Sequence, residues 1–190
     1  MSTASSANKT LSTPKGIYEC PVVQIEKVAR GIFLMRLFGP EISRTAQPGQ
    51  FVNIHVRHEP IPLLRRPFSV CRANAADGTF DVLWKAMGTG TTLMTSSRKG
   101  DRFSVLGPLG NGFAMPAQKA KKAIVVAGGL GAAPMPLLLD HLAMRAVPSL
   151  VLLGARSKDE LWGAELFESQ GAKVRLATDD GSAGQKGFVT

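Results

Sequence analysis

The stretch "KAIVVAGGLGAAP", Lys122 to Pro134, decides how the C-terminal half of this chain folds. Ala123 to Ala127 form an unbroken apolar run, the pattern of a parallel strand buried on both faces. The glycines that follow permit a tight turn into a helix, and "GAAPMPLLLDHLAMRA" continues with helical periodicity. Further on, "SLVLLGA" predicts a second buried strand, "SKDELWGAELFESQ" a second helix and "AKVRLATDDG" a third strand. The series is βαβαβ, the opening of a doubly wound sheet. At "GQKGFVT" a third helix is expected to begin, so three strands are counted and the doubly wound domain is expected to be incomplete at its C-terminal end.

Upstream the period changes. "YECPVVQIEKVA", "GIFLMRLFG", "QFVNIHVR", "PFSVCRA", "GTFDVLWKA" and "DRFSVLG" are short β-rich or alternating runs punctuated by Gly, Pro, Asp and Asn. Six such strands predict a small closed antiparallel barrel. Between the fifth and sixth, "GTGTTLMTSSRKGD" predicts a short helix that opens at the threonines, ends at Lys-Gly-Asp and sits over one end of the barrel. The fold class is therefore a six-stranded antiparallel barrel followed by an incomplete doubly wound α/β domain. The expected division is a disordered polar tail over 1–16, a barrel domain over 17–117 and a nucleotide-binding α/β domain over 118–190, with the boundary near Ala117.

Composition narrows the function. The chain has 190 residues and a formal charge of +9, which suits an anionic partner. Its Lys and Arg residues are scattered, it has one Tyr, and no zinc-finger, RRM or KH spacing occurs, so nucleic acid is not the expected partner. Phosphate-bearing cofactors or an acidic protein surface fit better. The two cysteines, Cys20 and Cys71, lie far apart with no neighbouring ligand, and read as small buried hydrophobes in a reducing cytoplasm. No apolar run reaches the roughly 18–20 residues that span a bilayer, and the polar N-terminus lacks the apolar core of a secretory signal. A cytoplasmic protein is expected.

Three segments carry candidate chemistry. In "RRPFSV", Pro67 forces Arg66 into an extended conformation and holds its guanidinium at the barrel rim. A guanidinium suits a phosphate oxygen and the Ser69 hydroxyl suits a ring nitrogen, while the amides of Phe68 through Val70 are expected to serve a flat ligand laid along the strand. The same residues also read as a surface salt bridge beside a core strand. In "GTGTTL", Gly88 and Gly90 let backbone approach a ligand, and the amides that open a helix offer a pyrophosphate site. That segment also reads as a plain turn and cap. In "VVAGGLGAAP", Gly128, Gly129 and Gly131 follow dinucleotide-binding logic but depart from G-x-G-x-x-G, and tight strand-to-helix packing is the competing reading.

"PGQF" (Pro48 to Phe51), "RRPFSV", "GTGTTL", "VLGPLGNGF" (Val105 to Phe113), "GGLGAAP" and "ATDDGSAGQKGFVT" occur in one order. Together they resemble the ferredoxin-NADP reductase superfamily, and more narrowly the electron-transfer subunits of two-component dihydroorotate dehydrogenases, the PyrK type. The resemblance runs from about Tyr18 to Thr190. It implies an FAD site with Arg66 on the phosphates, Ser69 near the reactive edge of the isoalloxazine, and Pro67, Phe68 and Val70 completing the motif; Arg65 is a candidate to share the phosphates. Gly88, Thr89, Gly90, Thr91 and Thr92 resemble the second FAD motif, which cradles the pyrophosphate. Gly128, Gly129, Gly131 and Pro134 match the NAD-site turn, and Gly154, Ala155 and Arg156 a second nucleotide-contacting loop. Phe68 stands where photosynthetic-type reductases carry Tyr, which fits the narrower branch.

The resemblance further implies a flavin-dependent oxidoreductase subunit of pyrimidine biosynthesis. It would accept electrons from an FMN-containing dihydroorotate dehydrogenase catalytic subunit, in a heterotetramer, and pass them to NAD; NADP stays open because Arg156 and Ser157 also suit a 2′-phosphate. A [2Fe-2S] cluster is expected in the family, but the cysteines present do not match its ligand motif. With three strands counted, NADH-driven chemistry is expected to be poor compared with FAD binding. Two other readings remain: the reductase subunit of a ferredoxin-NADP, sulfide or hydrogenase complex, and a non-catalytic module that has lost its cofactor. No catalytic residue is nominated. His55 reads as a core or partner-facing residue, and Asp179 and Asp180, adjacent in an extended segment, face opposite ways.

Overall fold

The computed structural model describes residues 15–56, 63–115 and 120–190. The polar tail, apart from its last residues, and the predicted boundary near Ala117 lie outside them. Six strands, β1 (Gly16–Ala29), β2 (Ile32–Phe38), β3 (Phe51–His55), β4 (Arg66–Asn74), β5 (Thr79–Lys85) and β6 (Arg102–Leu109), close into an antiparallel barrel of order β1-β2-β5-β4-β3-β6. Alternation puts Met35, Leu37, Val52, Ile54, Phe80 and Val82 in its core, each almost wholly buried. β5 is buried on its outer side as well: Asp81 takes two hydrogen bonds from Arg36, at 2.8 and 2.9 Å, and Leu83 is covered by the second module.

Two six-residue helices close the barrel at opposite ends, because one follows β2 and the other follows its antiparallel neighbour β5. α1 (Pro40–Thr45) inserts Ile42, and α2 (Thr89–Met94) inserts Met94. Sequence reading anticipated α2, although it ends at Met94 rather than at Lys-Gly-Asp. It missed α1, whose signals are Pro at the first turn, Glu41 behind it and Arg44 in the last turn.

The second module is a four-stranded parallel sheet in the order β10-β9-β8-β7, with β7 (Ala123–Gly128), β8 (Ser149–Ala155), β9 (Lys173–Thr178) and β10 (Gln185–Lys186). The third helix expected at "GQKGFVT" does not form; Gln185–Lys186 instead pair in parallel with Ala177 and Thr178, which makes four strands where three were counted. α3 (Met135–Met144) and α4 (Ala164–Ser169) bring Leu139 and Phe167 onto Val125, Ala127, Val151 and Leu153. Burial of β7 on both faces is not observed: Ile124 is 63% and Val126 46% exposed. Successive right-handed crossovers that step the same way along a sheet place their helices on one face, so the other is left uncovered by α3 and α4. The second predicted helix is also cut short. Gly163, at φ +98°, separates α4 from a 3₁₀ turn at Lys158–Glu160.

The two modules share packing. Leu137 of α3 belongs to the barrel core, and Ala133 joins Ile32 and Leu83 in a buried cluster. The 3₁₀ turn binds across the seam: the Arg30 amide donates to the Asp159 carbonyl at 2.8 Å, and Glu160 pairs with Lys85 at 2.9 Å and with Arg30 at 3.8 Å. The hydrogen-bonded Lys85 ammonium holds the Glu160 carboxyl below the usual carboxylate range.

Candidate functional site

Closing the barrel brings "RRPFSV" and "GTGTTL" together. β4 pairs with β3 from Arg66 to Ser69, but its ladder with β5 runs only from Val70 to Asn74, so among the described residues no strand pairs with Arg66–Ser69 on their β5 side. The opening of α2 stands beside that gap. A Cβ placed on Gly90 would lie 2.6 Å from Arg66 Nε and 2.9 Å from its Cζ, so glycine is what allows the guanidinium to lie against the helix backbone. Arg66 also donates to the Leu64 carbonyl. Ser69 is half-buried and Pro67 exposed, whereas Phe68 is only 7% exposed and meets Trp84 edge-on at 6.5 Å.

Three expectations for this segment change. Arg65 neither sits with Arg66 nor projects into solvent: its guanidinium donates to the Ser104 carbonyl at 2.6 Å and hydroxyl at 2.9 Å, and to the Asn53 carbonyl at 3.4 Å, tying β6 and β3. The Val70 amide is not open to a ligand, since it donates to the Gln50 carbonyl at 3.0 Å. The Thr91 hydroxyl is committed within its own turn, accepting from the amides of Met87 and Gly88 at 3.0 and 3.1 Å and donating to the Gly88 carbonyl at 3.0 Å. Gly88, Thr89 and Thr92 are exposed.

A second site lies where the parallel strands end. Gly128 and Gly129 after β7, Gly154, Ala155 and Arg156 at the end of β8, and Asp179 after β9 line a cleft of about 710 Å³ whose opposite wall is Ile32, Lys85 and Met87 of the barrel. Ligands of open parallel sheets bind at this end of the strands. Gly129, at φ +53°, is the one glycine of the turn that the backbone demands; Gly131 has open space around its missing side chain, and Pro134 leads into α3. Gly154 has a different reason. Its Cβ would lie 2.6 Å from that of Val189, which packs over the strand end, and Phe188 and Thr190 also line the cleft.

The aspartates do not lie in an extended segment but in a turn after β9: Asp179 lines the cleft, while Asp180 accepts from the Ser182 amide at 2.9 Å and hydroxyl at 2.6 Å, which holds its carboxyl below the usual range. The remaining motifs are joints. The Phe113 amide donates to the Pro48 carbonyl at 2.7 Å and Gln50 Nε2 to the Gly110 carbonyl at 2.9 Å, linking "PGQF" to "GPLGNGF".

The residues fit an FAD: a cation beside an opened strand edge, and a glycine whose side chain would displace that cation. They do not fit an iron-sulfur cluster. Cys20 and Cys71 are both buried in the barrel wall, and among the described residues no group of three or more His, Cys, Asp or Glu side chains is placed to hold a metal ion. Among the described residues no helix is long and apolar enough to cross a membrane.

A closed six-stranded barrel carrying a parallel nucleotide-type sheet, with its clefts on their shared side, defines the ferredoxin-NADP reductase-like flavoprotein reductases. Solved structures agree: TM-score 0.76 and 30% identity to an NADH-dependent reduced ferredoxin-NADP oxidoreductase, covering 92% of this chain and 61% of that one. The cytochrome b5 reductase domain of Ulva prolifera nitrate reductase gives TM-score 0.73 at 17% identity, covering 92% and 78%. No protein-family model matches. The chain is 39% identical over 173 residues to the dihydroorotate dehydrogenase B (NAD(+)) electron transfer subunit of Desulforamulus reducens, covering 91% of this chain and 66% of the relative. It is 37% identical over 170 residues to that of Bacillus cereus strain Q1, covering 89% and 65%. These electron-transfer subunits are homologues of the chain over most of its length, and it spans just under two thirds of theirs.

Proposed function

We infer that this protein is the FAD-binding electron-transfer subunit of a dihydroorotate dehydrogenase, in which residues 17–117 hold the flavin and residues 118–190 contribute the NAD site. The observation that carries the reading is the contact of Arg66 with the opening of α2 at Gly90, because it joins two motifs that separately read as a surface arginine and a turn. Arg66 would neutralise the pyrophosphate, the exposed start of α2 would receive it, and Arg66 through Ser69 would border the isoalloxazine, with the Ser69 hydroxyl at its polar edge. Gly128, Gly129 and the loop at Gly154–Arg156 would seat the dinucleotide in the neighbouring cleft, in contact with Lys85 and Met87 of the barrel.

When bound, FAD supplies the redox chemistry, exchanging a hydride with nicotinamide and single electrons with another carrier. The chain's own part is to bind, orient and separate the two cofactors. In the overall reaction a dihydroorotate dehydrogenase catalytic subunit with FMN would oxidise dihydroorotate to orotate, releasing two electrons and two protons; NAD would take both electrons and one proton as hydride, and one proton would go to solvent. A cytoplasmic heterotetramer of the two subunits is the corresponding assembly. The likeness at 30% identity to a ferredoxin-NADP oxidoreductase favours a second reading, the reductase subunit of a different electron-transfer complex.

Purification followed by an absorbance spectrum and cofactor extraction tests the flavin reading. FAD is expected, and extraction of mainly FMN would overturn it, because the α2 site serves only a ligand with a pyrophosphate to place. Mixing the protein with an FMN-containing dihydroorotate dehydrogenase subunit, and measuring dihydroorotate-dependent reduction of the FAD, separates the two readings.

A further inference from the structure

None of the motifs above includes Trp84, the second-last residue of β5, yet its side chain touches both halves of the flavin site. Its indole is 2% exposed, stacks on Phe33 at 5.6 Å with planes 22° apart, and receives the Phe68 ring edge-on at 6.5 Å. Its Nε1 donates to the Thr91 carbonyl at 3.0 Å. α2 has six residues, and the last four carbonyls of any helix have no partner inside it. Thr91 is the fourth residue from the end of α2, so its carbonyl is one of these orphans, and the indole N–H is its partner. The hydroxyl of the same residue gathers the amides of Met87 and Gly88.

We propose that Trp84 is a positioning residue for the diphosphate half of FAD: its indole N–H, by holding the Thr91 carbonyl, sets where α2 stands against Arg66. A helix this short has almost no stability of its own, so its placement is set by such tertiary contacts. The stack on Phe33 fixes the plane of the indole, and hence the direction of the N–H. The N–H acts on the part of the ligand beyond the ribityl chain, because it holds α2, whereas the contact with Phe68 of β4, which borders the ring system, is made by the indole ring and not by its N–H. This inference rests on the FAD reading given above.

The test compares the binding of FAD and of riboflavin, which lacks phosphates and adenylate, by titration of flavin fluorescence. Trp84→Phe keeps a ring against Phe33 and removes the N–H; FAD affinity is expected to fall about fivefold, the scale of one hydrogen bond, while riboflavin affinity stays within error. Phe33→Leu loosens the stack that aims the donor but leaves the donor in place, and should lower FAD affinity less than Trp84→Phe does, with riboflavin affinity again within error. In the unaltered protein FAD, and not riboflavin, should slow solvent exchange of the Trp84 indole proton, a measurement that needs no variant. Equal loss of FAD and riboflavin binding in Trp84→Phe, no loss of either, or equal protection by both ligands would overturn the proposal and leave the flavin reading standing. An unaltered protein that binds neither flavin would overturn both.

Discussion

Arg66 and Gly90 act as one unit, and a substitution at either should be read through the other. Arg66→Ala removes a charge-assisted contact and is expected to weaken FAD binding by about 1.5–3 kcal/mol. Gly90→Ala puts a methyl group 2.6 Å from Arg66 Nε and should lose FAD to a similar extent with the arginine intact. Equilibrium titration of both variants checks this; undiminished affinity in both returns Arg66 to a surface role. The cysteines make the opposite case. Burial pushes the Cys20 thiol up to about 12 and raises that of Cys71 as well, so both stay protonated and shielded. Alkylation of the native protein at pH 8 should be more than ~100-fold slower than that of the denatured chain. Because these folded-state values lie above the unfolded one, their contribution to stability is complete below about pH 8.5 and declines as the pH rises toward the folded values. The sequence places both thiols in buried positions, as observed, since a small apolar side chain without a neighbouring ligand belongs in a core. Sequence reading misplaced Arg65, because whether a guanidinium finds a phosphate or the Ser104 carbonyl depends on which strand lies beneath it.

Among the elements, the 3₁₀ turn at Lys158–Glu160 shows how a predicted helix is overruled. "SKDELWGAELFESQ" has helical periodicity, but the break at Gly163 frees its first turn to reach the barrel, where Glu160 meets Lys85 and Arg30. Local propensity is worth tenths of a kcal/mol per residue, and a cross-seam pair with a shared backbone hydrogen bond outweighs it. Glu160→Gln should therefore loosen the seam at neutral pH. The sign follows from the depressed carboxyl: its stabilisation is present above the unfolded value, near pH 4.3, and disappears as the pH falls through the lower folded value. The stability difference between the parent and Glu160→Gln, measured by urea titration, is expected to be constant from pH 6 to 8 and to shrink below about pH 4.3. A difference that grows on acidification would contradict the assigned role.

In the molecule as a whole, barrel and sheet are expected to unfold together. Leu137, 3% exposed, projects from α3 into the barrel core, and the Ile32, Leu83 and Ala133 cluster spans the seam. Each module carries one tryptophan: Trp84 in the barrel, and Trp162 packed edge-on to Phe167 under the sheet. Emission from the two, separated by substituting Trp162, should report one coincident transition. Leu137→Ala is expected to lower that single transition by about 2–5 kcal/mol rather than to split it. Two separate midpoints in the parent protein would show that the seam does not couple the modules.

The amino-acid order alone is enough for a barrel of six strands followed by alternating strands and helices, and for glycines at the turns where cofactors would approach. These are local statements: alternation, apolar runs and turn chemistry act within a few residues of one another. The meetings on which the site depends are between distant residues: Arg66 with Gly90, Lys85 with Glu160, and Val189 over Gly154. Even the number of parallel strands was settled this way, because Gln185 and Lys186 become a strand only by pairing with β9. Such contacts exist only after strand closure and crossover handedness have brought the segments side by side, and no short-range pattern encodes which partner will be waiting there.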